Sequence, residues 1–260
     1  MSSSPYPTNP TPQFLRFYQN YLTLVNLFTV FSMLEGEIPY MIKRLDQGDP
    51  ERARAYSDYL AKIQYQEIER YKFAHLIAEI YLSRTVDQFH VYILDMLRAY
   101  FRQHPEQLSP KVKRGKPRNI AGIGQLASDN VDYYSMIQAD KQLRDGFTKI
   151  MEFLEGSTKI KLKIGKELSK EVDWAINVRN IIIHNRGRMN ETFLNRIDDD
   201  TTPADLPLII DQNQANLWTS NILTATSLID TAFFDKYGME MFTKFMPFPT
   251  LSEGVNFRNI

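Results

Sequence analysis

The chain has 260 residues, enough for one large domain or two small ones, and its 43% hydrophobic and 24% charged residues are the balance of a globular protein. Basic and acidic residues cancel at 31 each, so no global field draws nucleic acid, and a polyanion must be held by local patches. Cysteine is absent, which excludes disulfides, cysteine nucleophiles and thiolate metal sites.

The opening MSSSPYPTNPTPQ has neither a basic n-region nor an apolar h-region, so no secretory signal is expected. Residues 1–12 carry Pro5, Pro7, Pro10 and Pro12 among Ser, Thr and Asn, the composition of a disordered tail. Helical periodicity follows. Phe14, Tyr18, Tyr21, Val25 and Phe28 recur at spacings of four and three, on one helical face. Leu22, Leu24, Leu27, Val30 and Leu34 fill the other faces, which predicts a helix buried all round or placed at a subunit interface. Gly36 and Pro39 should end or kink it. The apolar run Tyr21 to Leu34 is shorter than a bilayer span and contains Thr23, Asn26, Thr29 and Ser32. A cytoplasmic protein that engages no membrane is expected.

Asp49-Pro50 reads as a helix entry, with Asp as N-cap and Pro in the first turn. No Pro or Gly follows until Pro105, so one or two long helices fill that span. Phe73, Leu76, Ile80, Val86, Phe89, Ile93, Met96 and Tyr100 mark their buried stripe. Residues 105–124 are a loop. Helical signal resumes from Leu126 to Leu154, and Gly156-Ser157-Thr158 breaks it. Lys159 to Ile164 alternates charge with Ile or Leu, as a short strand or an extended linker would. From Glu167 to about Ile183 the pattern is helical again, with Leu168, Val172, Ala175, Val178 and Ile182 on one side and Gly187 placed as a C′ residue. Asp198 to Pro207 is an acidic loop. A last helix, from about Gln212 to Phe234, alternates small and large residues at Ala215, Trp218, Ile222, Ala225, Ile229 and Ala232, which permits close packing. The pattern as a whole predicts an all-α, up-and-down bundle of five to seven long helices. It forms one domain over residues 13–245, with a C-terminal tail at 246–260.

The most informative run is Val178-Arg179-Asn180-Ile181-Ile182-Ile183-His184-Asn185-Arg186-Gly187. Arginine holds a fixed charge on a planar donor fork that suits phosphate. Histidine transfers protons in both directions near neutral pH. Together they suffice to cleave a phosphodiester in RNA, where the 2′-hydroxyl is the nucleophile. The two residues are five apart, roughly 140° around an ideal helix. Both can serve one site only if the helix ends near Ile183 or if the site is shared across a dimer. A structural alternative is open: Arg179 in a buried ion pair and His184 at a helix C-terminus.

An arginine followed by a polar residue, a histidine five positions on and an Asn-x-Gly, inside a helical domain of this length, resembles the HEPN superfamily. The match is Arg179, Asn180, His184, Asn185 and Gly187. The resemblance implies a helical bundle that dimerises around a composite site and cleaves RNA without a cofactor, leaving a 2′,3′-cyclic phosphate. It implies catalytic roles for Arg179 and His184, supporting roles for Asn180 and Asn185, and the biology of a toxin or an antiviral defence effector with an antitoxin or defence partner protein. Non-catalytic members that bind a nucleotide or a protein are the alternative. They usually lose the arginine or the histidine.

Lys111, Lys113, Arg114, Lys116 and Arg118 form a loop with no acid between them, either an RNA-backbone contact or a solvated loop. Lys159, Lys161, Lys163 and Lys166 form a second, weaker cluster. Arg84, Asp87 and His90 at i, i+3 and i+6 read as surface pairing along a helix, with Asp87 or Arg84 lining the site as the lesser reading. His75 and His104 have no ligand-like neighbours, and four scattered histidines predict no metal site.

Overall fold

The computed structural model describes residues 7–64, 73–104, 146–197 and 201–243. Those residues form eight helices: α1 (Pro12–Gly48), α2 (Pro50–Gln64), α3 (Phe73–Gln103), α4 (Phe147–Thr158), α5 (Lys166–His184), α6 (Glu191–Arg196), α7 (Gln212–Tyr237) and α8 (Glu240–Thr243). Among the described residues the only β-type pairing is an isolated antiparallel bridge between Arg188 and Pro207. The protein is an all-α bundle. The basic loop 111–118, residues 126–145, Asp198 to Asp200 and the tail 246–260 lie outside the described residues.

The expected tail boundary falls earlier than residue 12. Thr11 is fully buried, and its hydroxyl accepts the Phe14 N–H at 3.2 Å as the N-cap of α1. Its own N–H donates to Asp230 Oδ2 at 2.9 Å, and its hydroxyl donates to Asp230 Oδ1. Tyr92 of α3 adds its hydroxyl to Asp230 Oδ1 at 3.2 Å. A buried carboxyl on α7 thus ties down the start of α1 and the middle of α3.

Phe14, Phe17, Tyr21 and Phe28 of α1 enter the core. Of the two alternatives the sequence offers for this helix, burial all round is not observed in its second half: Leu27, Val30 and Leu34 are each about half exposed in the single chain. α1 also runs through Gly36 and Pro39 without ending. Nothing lies within 4 Å of a Cβ built on Gly36, so this glycine serves no close approach. Asp49 then caps α2 as expected, accepting the Arg52 N–H at 3.1 Å.

α3 is the central helix, in contact with α1, α5, α7 and α8. Val86, Phe89, Ile93, Met96 and Tyr100 are buried as the sequence predicts. Leu76 and Ile80 are not, at 47% and 48% exposed; Ile77, Ala78, Tyr81 and Leu82 take the inner face, with Tyr81 stacked on Phe28 at 4.5 Å. The apolar pattern around 76–82 is nearly continuous, so periodicity alone cannot choose the phase, and the Phe28 contact decides it.

α4 continues through Gly156 to Thr158 and stops at Lys159, which adopts left-handed backbone at φ 56°. The 159–165 segment contains no helix or strand, so the linker reading holds. Its alternation still sorts inside from outside: Ile160 is buried while Lys159, Lys161 and Lys163 are exposed. α5 buries Val172, Ala175, Val178 and Ile181 against α3 and α7. Asp211 caps α7 through the Gln214 N–H at 2.7 Å, and Ala215, Ile222, Ala225 and Ile229 of α7 are fully buried.

Candidate functional site

α5 stays helical through His184, so the angular separation expected of Arg179 and His184 is realised. Arg179 turns toward α3. Its Nε and Nη2 both donate to Asp87 Oδ1, at 3.1 and 2.6 Å, and its Nη1 donates to Asn180 Oδ1 at 3.2 Å. The pair is mostly shielded, with side chains 18% and 32% exposed. Asp87 therefore pairs across helices rather than along its own, although like Arg179 it lines neither cleft beside His184. Arg84 is exposed and does not line the site.

His184 is exposed, the last residue of α5. Asn185 is the C-cap. Ile181 O accepts N–H groups from both Asn185 and Gly187 at 3.0 Å. Arg186, not Gly187, occupies the C′ position, at φ 53°, and Gly187 follows at φ 67°. Two consecutive left-handed residues reverse the chain. Residues 187–189 then run beside 205–208: Leu208 N–H donates to Gly187 O at 2.8 Å, Met189 N–H to Leu206 O at 2.9 Å and Asp205 N–H to Met189 O at 2.7 Å. This strap brings Asn190 back beside α5, where its side chain accepts the Phe193 N–H at 2.8 Å and caps α6.

Two clefts result. The larger, about 600 Å³, lies over the strap between His184, Arg188, Glu191 and Asp205. The smaller, about 160 Å³, is walled by Asn177, Asn180, Asn185 and Asn190. His184, Asn185, Asn190 and Thr192 belong to both. Arg179 lines neither, and Asn180 is the link between its guanidinium and the smaller cleft. One chain thus gathers His184, Asn180 and Asn185 but leaves Arg179 on the far side of α5. The basic loop residues Lys111, Lys113, Arg114, Lys116 and Arg118 fall outside the described residues.

Sequence reading missed Asn177 and Asn190. For Asn190 a signal was present, since Asn before Glu191 and an apolar pair is an N-cap pattern. His75 donates from Nδ1 to Ile210 O at 2.9 Å, and the His104 ring lies tilted against Tyr100 at 4.7 Å; neither lines the clefts beside His184. Among the described residues no group of three or more His, Asp or Glu side chains could hold a metal ion, and no helix is long and apolar enough to cross a membrane.

Chemically, the clefts offer an imidazole open to solvent among amide side chains that can donate and accept hydrogen bonds. No protein-family model, curated protein or solved structure matches the chain.

Proposed function

We propose that the chain is a metal-independent endoribonuclease of the HEPN type, acting as a homodimer, in the role of a toxin or phage-defence effector that an antitoxin or defence partner protein restrains. The observation that carries this reading is His184: a solvent-open imidazole at the junction of two amide-lined clefts, five residues from an arginine on the same helix.

The reading requires a second copy, because Arg179 and His184 diverge within one chain. Two protomers meeting at α5 supply two imidazoles. One, neutral, takes the proton from the RNA 2′-hydroxyl. The 2′-oxygen forms its bond to phosphorus as the bond to the 5′-oxygen breaks. The other, protonated, delivers its proton to that leaving oxygen. The products are a 2′,3′-cyclic phosphate and a 5′-hydroxyl. Arg179 neutralises charge on phosphorus. A guanidinium carries five N–H donors; three are used on Asp87 and Asn180, so two stay available to phosphate oxygens while Asp87 holds the group in place. Asn180 and Asn185 orient the cleft side.

The test is cleavage of mixed cellular RNA in EDTA by wild type, Arg179→Ala and His184→Ala. His184→Ala should lose about 10²–10⁴-fold. Arg179→Ala should lose about 10²–10³-fold. Equal activity in all three proteins would sink the proposal. The Arg179–Asp87 pair favours a second reading, a non-catalytic helical module in which Arg179 is structural. Under it none of the three cleaves RNA, and Arg179→Ala lowers only stability.

A further inference from the structure

A separate cleft, about 460 Å³, opens between the 159–164 segment and α7. Lys159, Lys161 and Lys163 line it from the segment and Lys236 from α7, with Leu228 and Ala232 as apolar floor. Asp235 is the one acid among its lining residues. The arrangement follows from the local sequence. Ile160 is anchored in the core, while Lys159, Lys161 and Lys163 are exposed and reach the cleft. Lys236 Nζ donates to Thr158 O at 2.9 Å and Lys159 O at 2.6 Å, fixing the start of the segment to α7.

We propose that this groove is a docking track for the phosphate backbone of single-stranded RNA, distinct from the His184 clefts. A chain of zero net charge can hold a polyanion only where cations are concentrated, and here four lysines face one aspartate. Four separate lysines suit a repeating charge better than a single compact anion. Leu228 and Ala232 offer apolar surface to unstacked bases, which a duplex keeps inside its stack. Contacts to phosphate and to base faces carry no sequence code, so the track adds affinity without sequence preference.

The inference takes its ligand from the nuclease reading, but its test needs no cleavage. Full-length His184→Ala protein is titrated with a fluorescent oligouridylate across a salt series. It is compared with the same protein carrying Lys159→Gln, Lys161→Gln and Lys163→Gln. The triple change should weaken binding roughly tenfold at low salt and flatten the slope of log K against log salt by about 2, with the melting temperature unchanged. Asp235→Asn should tighten binding. Unchanged affinity and slope would overturn the proposal. So would a preference for duplex RNA, or lysine-dependent binding to phosphatidylserine vesicles with none to RNA. If wild type cuts no RNA yet the lysines still govern binding, the track stands and the nuclease reading falls alone.

Discussion

At the scale of single residues, the Arg179–Asp87 pair decides most. Both side chains are largely shielded, so removing the carboxylate leaves a charge with one partner fewer in poor solvent. Asp87→Ala should lower stability by about 1–3 kcal/mol in denaturant titration, and it should reduce RNA cleavage beyond what that loss explains, because Arg179 is no longer aimed. If cleavage is untouched, Arg179 does not act through this geometry. Gly187 carries the second prediction. Its φ of 67° is costly for any residue with a Cβ, so Gly187→Ala should cost about 1–2 kcal/mol by thermal melting. It should also loosen the strap that brings Asn190 to the cleft. At this scale the sequence disclosed Arg179, Asn180, His184 and Asn185, and it disclosed that the first and third cannot face one cleft from a straight helix. It could not disclose Asp87 as the arginine's partner, since 92 residues separate them, nor Asn177 and Asn190 as cleft walls. Those depend on the left-handed pair Arg186-Gly187 and the 205–208 strap, which are long-range outcomes.

At the scale of elements, the Asp230 node joins three helices. Burial pushes its carboxyl up from the ordinary range to about 6, partly offset by the Thr11 hydroxyl, the Thr11 N–H and the Tyr92 hydroxyl. A carboxyl raised in the fold binds its proton more tightly there than in the unfolded chain. Its favourable contribution is therefore complete below about pH 4 and is lost as pH rises through about 6. Relative to Asp230→Asn, the wild type should lose about 2 kcal/mol between pH 4 and pH 7 in denaturant titrations. Parallel pH profiles for the two proteins would contradict the assignment. α1 offers an opposite case. Gly36 lies inside the helix with open space around it, so Gly36→Ala should add about 1 kcal/mol. A loss of stability there would mean that α1 needs a break after all. The helices themselves were readable because their apolar spacings are long and regular, as in α7. The phase of α3 around Leu76 and Ile80 was not, because apolar residues there surround the helix and only the Tyr81–Phe28 stack selects a face. The short α6 was missed because six residues cannot show a period.

At the scale of the whole molecule, balanced charge sets the frame. A neutral chain gains nothing from long-range attraction, so under the proposed reading RNA would be held by local features, the amide-lined clefts at His184 and the lysine-lined cleft beside α7. The all-α class was legible because hydrophobic period, caps and breakers agree along most of the described chain. The proposed function rests on one short run of residues, Arg179 to Gly187. The central claim is that His184 and Arg179 drive attack by the RNA 2′-hydroxyl. Its most direct test is the chemical identity of the ends left on RNA cut by the purified protein in EDTA. The account predicts 2′,3′-cyclic phosphate and 5′-hydroxyl ends, and no cut at a site where the 2′-hydroxyl is replaced by hydrogen. Ends of 3′-hydroxyl and 5′-phosphate, or cleavage that persists at the deoxy position, would contradict it.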